Sequence, residues 1–93
     1  MPTEIYKDFE WDSEKSIANL RKHNIDFYTA CAMFSGIVVP IKAVITESNE
    51  VRHLCIGELN GMYFSVIYTL RGERKRLISV RRAREDEKRF YSS

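Results

Sequence analysis

The chain has 93 residues, 44% hydrophobic and 12% aromatic, enough for one packed core and too apolar for a disordered segment. Its formal net charge is only +2, so bulk charge explains no function. The distribution says more: residues 1 to 14 hold five acids against Lys7, whereas nine of the fifteen basic residues fall between Arg71 and Arg89. An acidic ligand belongs at that basic end.

No apolar run approaches about 18 residues and no secretory signal pattern opens the chain, so a cytoplasmic protein with no membrane partner is expected. Cys31 and Cys55 sit among apolar neighbours and read as reduced, buried thiols. With His23 and His53 they lack zinc-site spacing, so neither a metal nor another cofactor is expected.

Residues 4 to 11, with Tyr6, Phe9 and Trp11 among acids, suit a short extended segment or a loop that packs its aromatics down. Asp12 or Ser13 then caps a helix, with Glu14 favourably placed in the first turn. It runs to about His23. Ile17 and Leu20 form its narrow apolar stripe, while Lys15, Asn19, Lys22 and His23 share the opposite side. Lys22 and His23 fall in the last turn, where cations are stabilised, and Asn24 suits the left-handed cap. Asp26 starts a second helix, with Phe27, Ala30, Cys31 and Phe34 on one buried face. Gly36 ends it.

Ile37 to Ile45 is a β-branched run interrupted by Pro40, which predicts an edge or bulged strand. Thr46 to Glu50 is a polar loop, and Val51 to Glu58 a strand with His53 and Cys55 on one side. Asn60-Gly61 suits a two-residue type I′ turn between antiparallel strands. In Met62 to Leu70, Phe64, Val66 and Tyr68 share one face, and Ser65, Ile67 and Thr69 the other. Arg71 to Glu73 turns the chain into a last strand, Arg74 to Arg82, with Ile78 and Val80 facing one way and Ser79 and Arg81 the other. Ala83 to Tyr91 has the composition of a terminal helix.

The expected architecture is one α+β domain spanning residues 1–93: two N-terminal helices, a four-stranded antiparallel meander and a C-terminal helix. Helices cover one sheet face and leave the other partly open. That open face carries Thr69, Arg71, Ser79 and Arg81, with Lys22 and His23 added if the first helix ends nearby. A metal-independent ribonuclease needs such groups: a base for the 2′-OH, cations for the pentacovalent phosphate and an acid for the departing 5′-oxygen. Histidine suits proton transfer near neutral pH, and guanidinium groups fork onto phosphate oxygens.

The blocks F-E-W-D (Phe9 to Asp12), K-x-x-x-N-L-R-K-H (Lys15 to His23) and Y-T-x-R-G-E-x-x-R-x-I-S-V-R-R-A (Tyr68 to Ala83) make the chain resemble the BrnT toxin family. These are ribonuclease toxins of type II toxin–antitoxin systems, similar in fold to RelE-like toxins. The resemblance implies RNA as substrate, cleavage without a metal, and arrest of translation until an antitoxin neutralises the toxin. The implied partner is a BrnA-like DNA-binding antitoxin, with operator DNA contacted only through the complex. It supports Lys22, His23, Arg71, Ser79, Arg81 and Arg82 as site residues. Within that set we assign His23, Lys22, Arg71 and Arg81 to catalysis, and Arg74, Arg76, Ser79 and Arg82 to RNA binding. The apolar Ile37–Ile45 run with Lys42 replaces a stretch that tends to be acidic in the family, which leaves homo-oligomer formation open. The rival reading is a non-catalytic basic module that binds RNA or protein and acts mainly as a co-repressor with its partner.

Overall fold

The computed structural model describes residues 2–92. Strands β1 (Thr3–Tyr6) and β2 (Phe9–Asp12) form an N-terminal hairpin. Helices α1 (Ser13–His23) and α2 (Phe27–Cys31) follow, and α2 runs into a 3-10 turn at Ala32–Ser35. The chain then descends through β3 (Val38–Ile45), β4 (Val51–Leu59), β5 (Met62–Arg71) and β6 (Arg74–Arg82), and ends in α3 (Glu85–Ser92).

The α+β class and the β3–β6 meander agree with expectation, but the sheet is larger and mixed. It has six strands in the order β1-β2-β6-β5-β4-β3, and β2 runs parallel to β6 through Phe9↔Lys75 and Glu10↔Arg76. The aromatic N-terminal segment is therefore a pair of strands. Trp11, 2% exposed, enters the main core. Local pattern could not specify this, because the pairing joins segments at opposite ends of the chain. The second helix is also shorter than expected, its last turn tightening at Ala32–Ser35.

One sheet face holds the core: Phe9 and Trp11 from β2, Cys55 from β4, Phe64 and Val66 from β5, and Leu77 and Val80 from β6. Ile25, Phe27, Ala30, Cys31 and Met33 close over it. Gly57 of β4 lets the 3-10 turn approach, since a methyl there would sit 2.9 Å from the Met33 Cβ. The Asn60-Gly61 turn has the expected form, with positive φ at both residues (52° and 80°). Helix α3 lies against the other face, near β3 and β4. The remainder of that second face stays open.

Candidate functional site

Helix α1 is held as its sequence suggests at both ends. The Asp12 carboxylate accepts from the Glu14 and Lys15 amides at 2.9 and 3.4 Å. Asn24 closes the other end in the left-handed region, φ 60°, its amide donating to Leu20. Its buried face reverses the expectation. Ile17 and Leu20 are about half exposed, whereas Ser16 and Asn19 are buried. The helix docks on backbone polar groups rather than on an apolar surface. Asn19 Nδ2 donates to the carbonyls of Val80 (2.9 Å) and Ile25 (2.8 Å), while its Oδ1 accepts from the Val80 amide at 3.2 Å. Ser16 Oγ accepts from the Phe27 amide at 3.0 Å. The β2–β6 pairing ends at Arg76, so the Asn19 side chain satisfies the β6 edge where a strand no longer does.

This clasp places the end of α1 beside the middle of β6. Lys22 and His23 lie one turn beyond Asn19, and Ser79 precedes Val80. Lys22, His23 and Ser79 line one hollow of about 210 Å3 with Lys15, Asn19 and Ile78. Ile78 reaches it through a bulge. Ile67 pairs with Ser79 and Tyr68 with Leu77, which leaves Ile78 without a cross-strand partner. The strand alternation expected for Ile78 and Val80 is therefore broken: Leu77 and Val80 enter the core, and Ile78 joins Ser79 at the hollow.

The arginines are more dispersed. Arg71, Arg74, Arg76 and Arg81 fall on the open face by register, as do Ser65 and Ser79. Arg82 lies on the core face, its guanidinium 5.9 Å from the Phe64 ring centre. Arg81 pairs with Ser65 and Arg71 lies six residues further along β5, roughly 20 Å away at about 3.3 Å per residue. One phosphate cannot span that distance, so Arg71 and Arg81 are not brought together. Ser79 and Arg81 are next-but-one neighbours on the strand and share its open face.

Three of the arginines already have carboxylate partners. Arg81 grips both oxygens of Glu87 at 2.8 Å. Arg76 meets Glu10 at 2.7 Å, and Arg71 meets Glu50 at 3.0 Å on the exposed rim. Glu87 is the centre of the tightest group. It also accepts from Ser65 Oγ and the Arg84 amide, both at 2.8 Å, so it fixes Arg81 and caps α3 at once. The Arg81 guanidinium, helped by those two donors, pulls the Glu87 carboxyl down to about 2. Among the described residues Lys15, Lys22 and Arg74 form no ion pair.

Asn19 and Glu87 were not singled out from the sequence. Glu87 had a signal, since an acid three residues after Arg84 can cap the helix it opens. Asn19 is a fixed letter of the Lys15–His23 block, but no local pattern marks what it does, because its partner is a backbone group 61 residues away. Both cysteines are free and buried, and burial pushes their thiols up to about 12 (Cys31) and 11 (Cys55), which leaves them unreactive. Among the described residues no three His, Cys, Asp or Glu side chains cluster as metal ligands, and no helix is long and apolar enough to cross a membrane.

A protein-family model described as the ribonuclease toxin, BrnT, of type II toxin–antitoxin systems matches residues 11–87. The match begins at buried Trp11 and ends at Glu87, so it includes the whole α1–β6 junction. No curated protein sequence matches.

Proposed function

The chain belongs to the BrnT family of ribonuclease toxins of type II toxin–antitoxin systems, and from that premise we propose that it is a metal-independent endoribonuclease acting at the hollow between α1 and the β6 bulge. The observation that carries this reading is the convergence of Lys22, His23 and Ser79 on one hollow, with Arg81 next along the same face.

In this reading His23 takes the proton from the ribose 2′-OH, and the freed oxygen attacks the adjacent phosphorus. The bond from phosphorus to the 5′-oxygen then breaks, and that oxygen takes a proton from the His23 imidazolium or from water, leaving a cyclic phosphate and a 5′-OH. The Lys22 ammonium and the Ser79 hydroxyl hold the non-bridging oxygens. Arg81, oriented by Glu87, adds charge as the phosphorane forms. Arg71, Arg74 and Arg76 serve phosphates further along the strand, and Arg82 one that wraps to the other face. Nothing in this chemistry requires a metal. Family membership implies an antitoxin partner. We take it to be a small BrnA-like DNA-binding protein that blocks this hollow in the cytoplasm and carries the toxin to operator DNA.

The test is inducible expression of wild-type, His23→Ala and Arg81→Ala chains, with cleavage of a labelled RNA followed in excess chelator. Wild type should arrest growth and cut RNA despite the chelator. His23→Ala should lose about 100-fold to 10,000-fold in rate. A folded His23→Ala protein with wild-type rate and pH profile would exclude the assignment. A second reading draws on the internal ion pairs of Arg71, Arg76 and Arg81, which suit a non-catalytic co-repressor; salt-sensitive RNA binding without cleavage would favour it.

A further inference from the structure

A second hollow adjoins the first on the open face. Its floor is aliphatic, built from Val44 of β3, Leu54 of β4, Ile67 of β5 and Ile78 of β6, and its volume is about 290 Å3, at the small end for ligand pockets. Lys42 and Arg52 stand on its rim. Ile78 and Ser79 line both hollows, so the bulge that takes Ile78 out of the core joins them into one groove.

The charge along this groove has one sign. Lys15, Lys22, Lys42 and Arg52 line it, and no Asp or Glu does. Lys42 forms no ion pair among the described residues, and Arg52 has only a 3.5 Å contact with Glu50 at a side chain 44% exposed. Elsewhere on this face Arg76 is paired with Glu10 and Arg81 with Glu87, while Arg74, outside the groove, forms no ion pair among the described residues. Lys15, Lys22 and Lys42 leave unpaired charge along the groove itself. A basic track beside an apolar floor is what a flexible single strand requires: phosphates on the cations, and a base desolvated against the floor. An apolar peptide segment would fill the floor but leave Lys15, Lys22 and Lys42 without counter-charge.

We propose that the Val44–Leu54–Ile67–Ile78 hollow is a nucleobase subsite, holding the base of the nucleotide next to the scissile phosphate while Lys42 and Arg52 grip the phosphate beyond. This rests on the reaction centre at His23 proposed above. The aliphatic floor takes any base by desolvation, with Ser79 and His53 beside it, so the subsite selects mainly for the presence of a base.

The experiment uses a fluorescent four-nucleotide RNA with a 2′-O-methyl ribose at the cleavage position, which cannot react. Companion probes lack the base on one or the other side of that position. Anisotropy titrations with the full-length protein should show one abasic probe binding about tenfold more weakly than the intact probe. Exchanging one base for another there should change binding little. Val44→Ser, at a half-exposed position, should erase most of the difference. Lys42→Ala should weaken all probes and lower the salt slope by about 0.7. Equal binding of intact and abasic probes by wild type overturns the subsite, as does a Val44→Ser protein that discriminates like wild type. If Val44→Ser keeps RNA discrimination but loses the antitoxin, the hollow seats a protein and the proposal falls. Because these probes cannot be cleaved, base-dependent binding by a chain that never cuts RNA supports the subsite and removes only the reaction centre.

Discussion

Glu87 does three jobs with two oxygens: it orients Arg81, accepts from Ser65 and caps α3. Its carboxyl falls from 4.5 to about 2, so its ionised form is favoured in the folded state. A group depressed in this way contributes fully above its unfolded value, near pH 4.5, and loses that contribution as pH falls toward 2. The contribution is on the order of 3 kcal/mol at one and a third kcal/mol per pH unit, for a side chain only 9% exposed. Urea midpoints for wild type should therefore drop between about pH 5 and pH 2. Glu87→Gln should begin lower by roughly 2 kcal/mol near neutrality, since Arg81 and Ser65 lose their partner, and should vary less across that window. An identical pH slope in both proteins would show that the acid sensitivity belongs to other carboxylates. The ribonuclease reading adds a second expectation: Glu87→Gln should reduce cleavage through Arg81 while leaving the His23 limb of the pH–rate profile in place.

At the scale of elements, sequence patterns were most informative where the governing contacts are local. Asp12, Asn24 and Asn60-Gly61 each fix a cap or a turn with neighbours a few residues away, and each is found doing so. The alternation of Phe64, Val66 and Tyr68 likewise identified the core face of β5. The misread elements are governed by distant partners. Helix α1 buries Asn19 and Ser16 because it completes the edge of β6 and the start of α2, and hydropathy does not register such a demand. Ile78 is apolar and would suit the core; only the bulge reveals that it faces the groove. The packing of the 3-10 turn on β4 gives a direct test of one such contact. Gly57→Ala should cost about 1 to 3 kcal/mol in urea unfolding, because the new methyl meets Met33 at 2.9 Å. Met33→Gly removes the obstructing Cβ, so the double variant should be more stable than the sum of the single losses predicts. Additive losses would mean that the cost lies in the β4 backbone.

Over the whole molecule, the decisive contact is the parallel pairing of β2 with β6. It ties the start of the chain to its basic end, and the acidic excess of residues 1 to 14 is partly spent there, on the Arg76–Glu10 pair. The two charge blocks that opposed each other in the sequence are thus neighbours in the fold. Lys22 and Lys42 keep unpaired charge along the groove, and the candidate site lies where α1 meets the open face of β6. This arrangement makes a claim about cooperativity. Trp11 comes from the N-terminal hairpin yet packs in one cluster with Phe27, Val66 and Val80, and α1 is bonded to β6 through Asn19. If residues 1–93 form one cooperative domain, the hairpin cannot leave without exposing the core that α1 and β6 share. Urea unfolding followed by the fluorescence of Trp11, the single tryptophan, should coincide with the transition in far-ultraviolet circular dichroism. Asn19→Ala should shift both curves together to lower urea. A fluorescence transition that precedes the loss of secondary structure would instead mark the hairpin as a separable addition to the meander, and the β2–β6 pairing would then carry too little energy to hold the two ends of the groove in register.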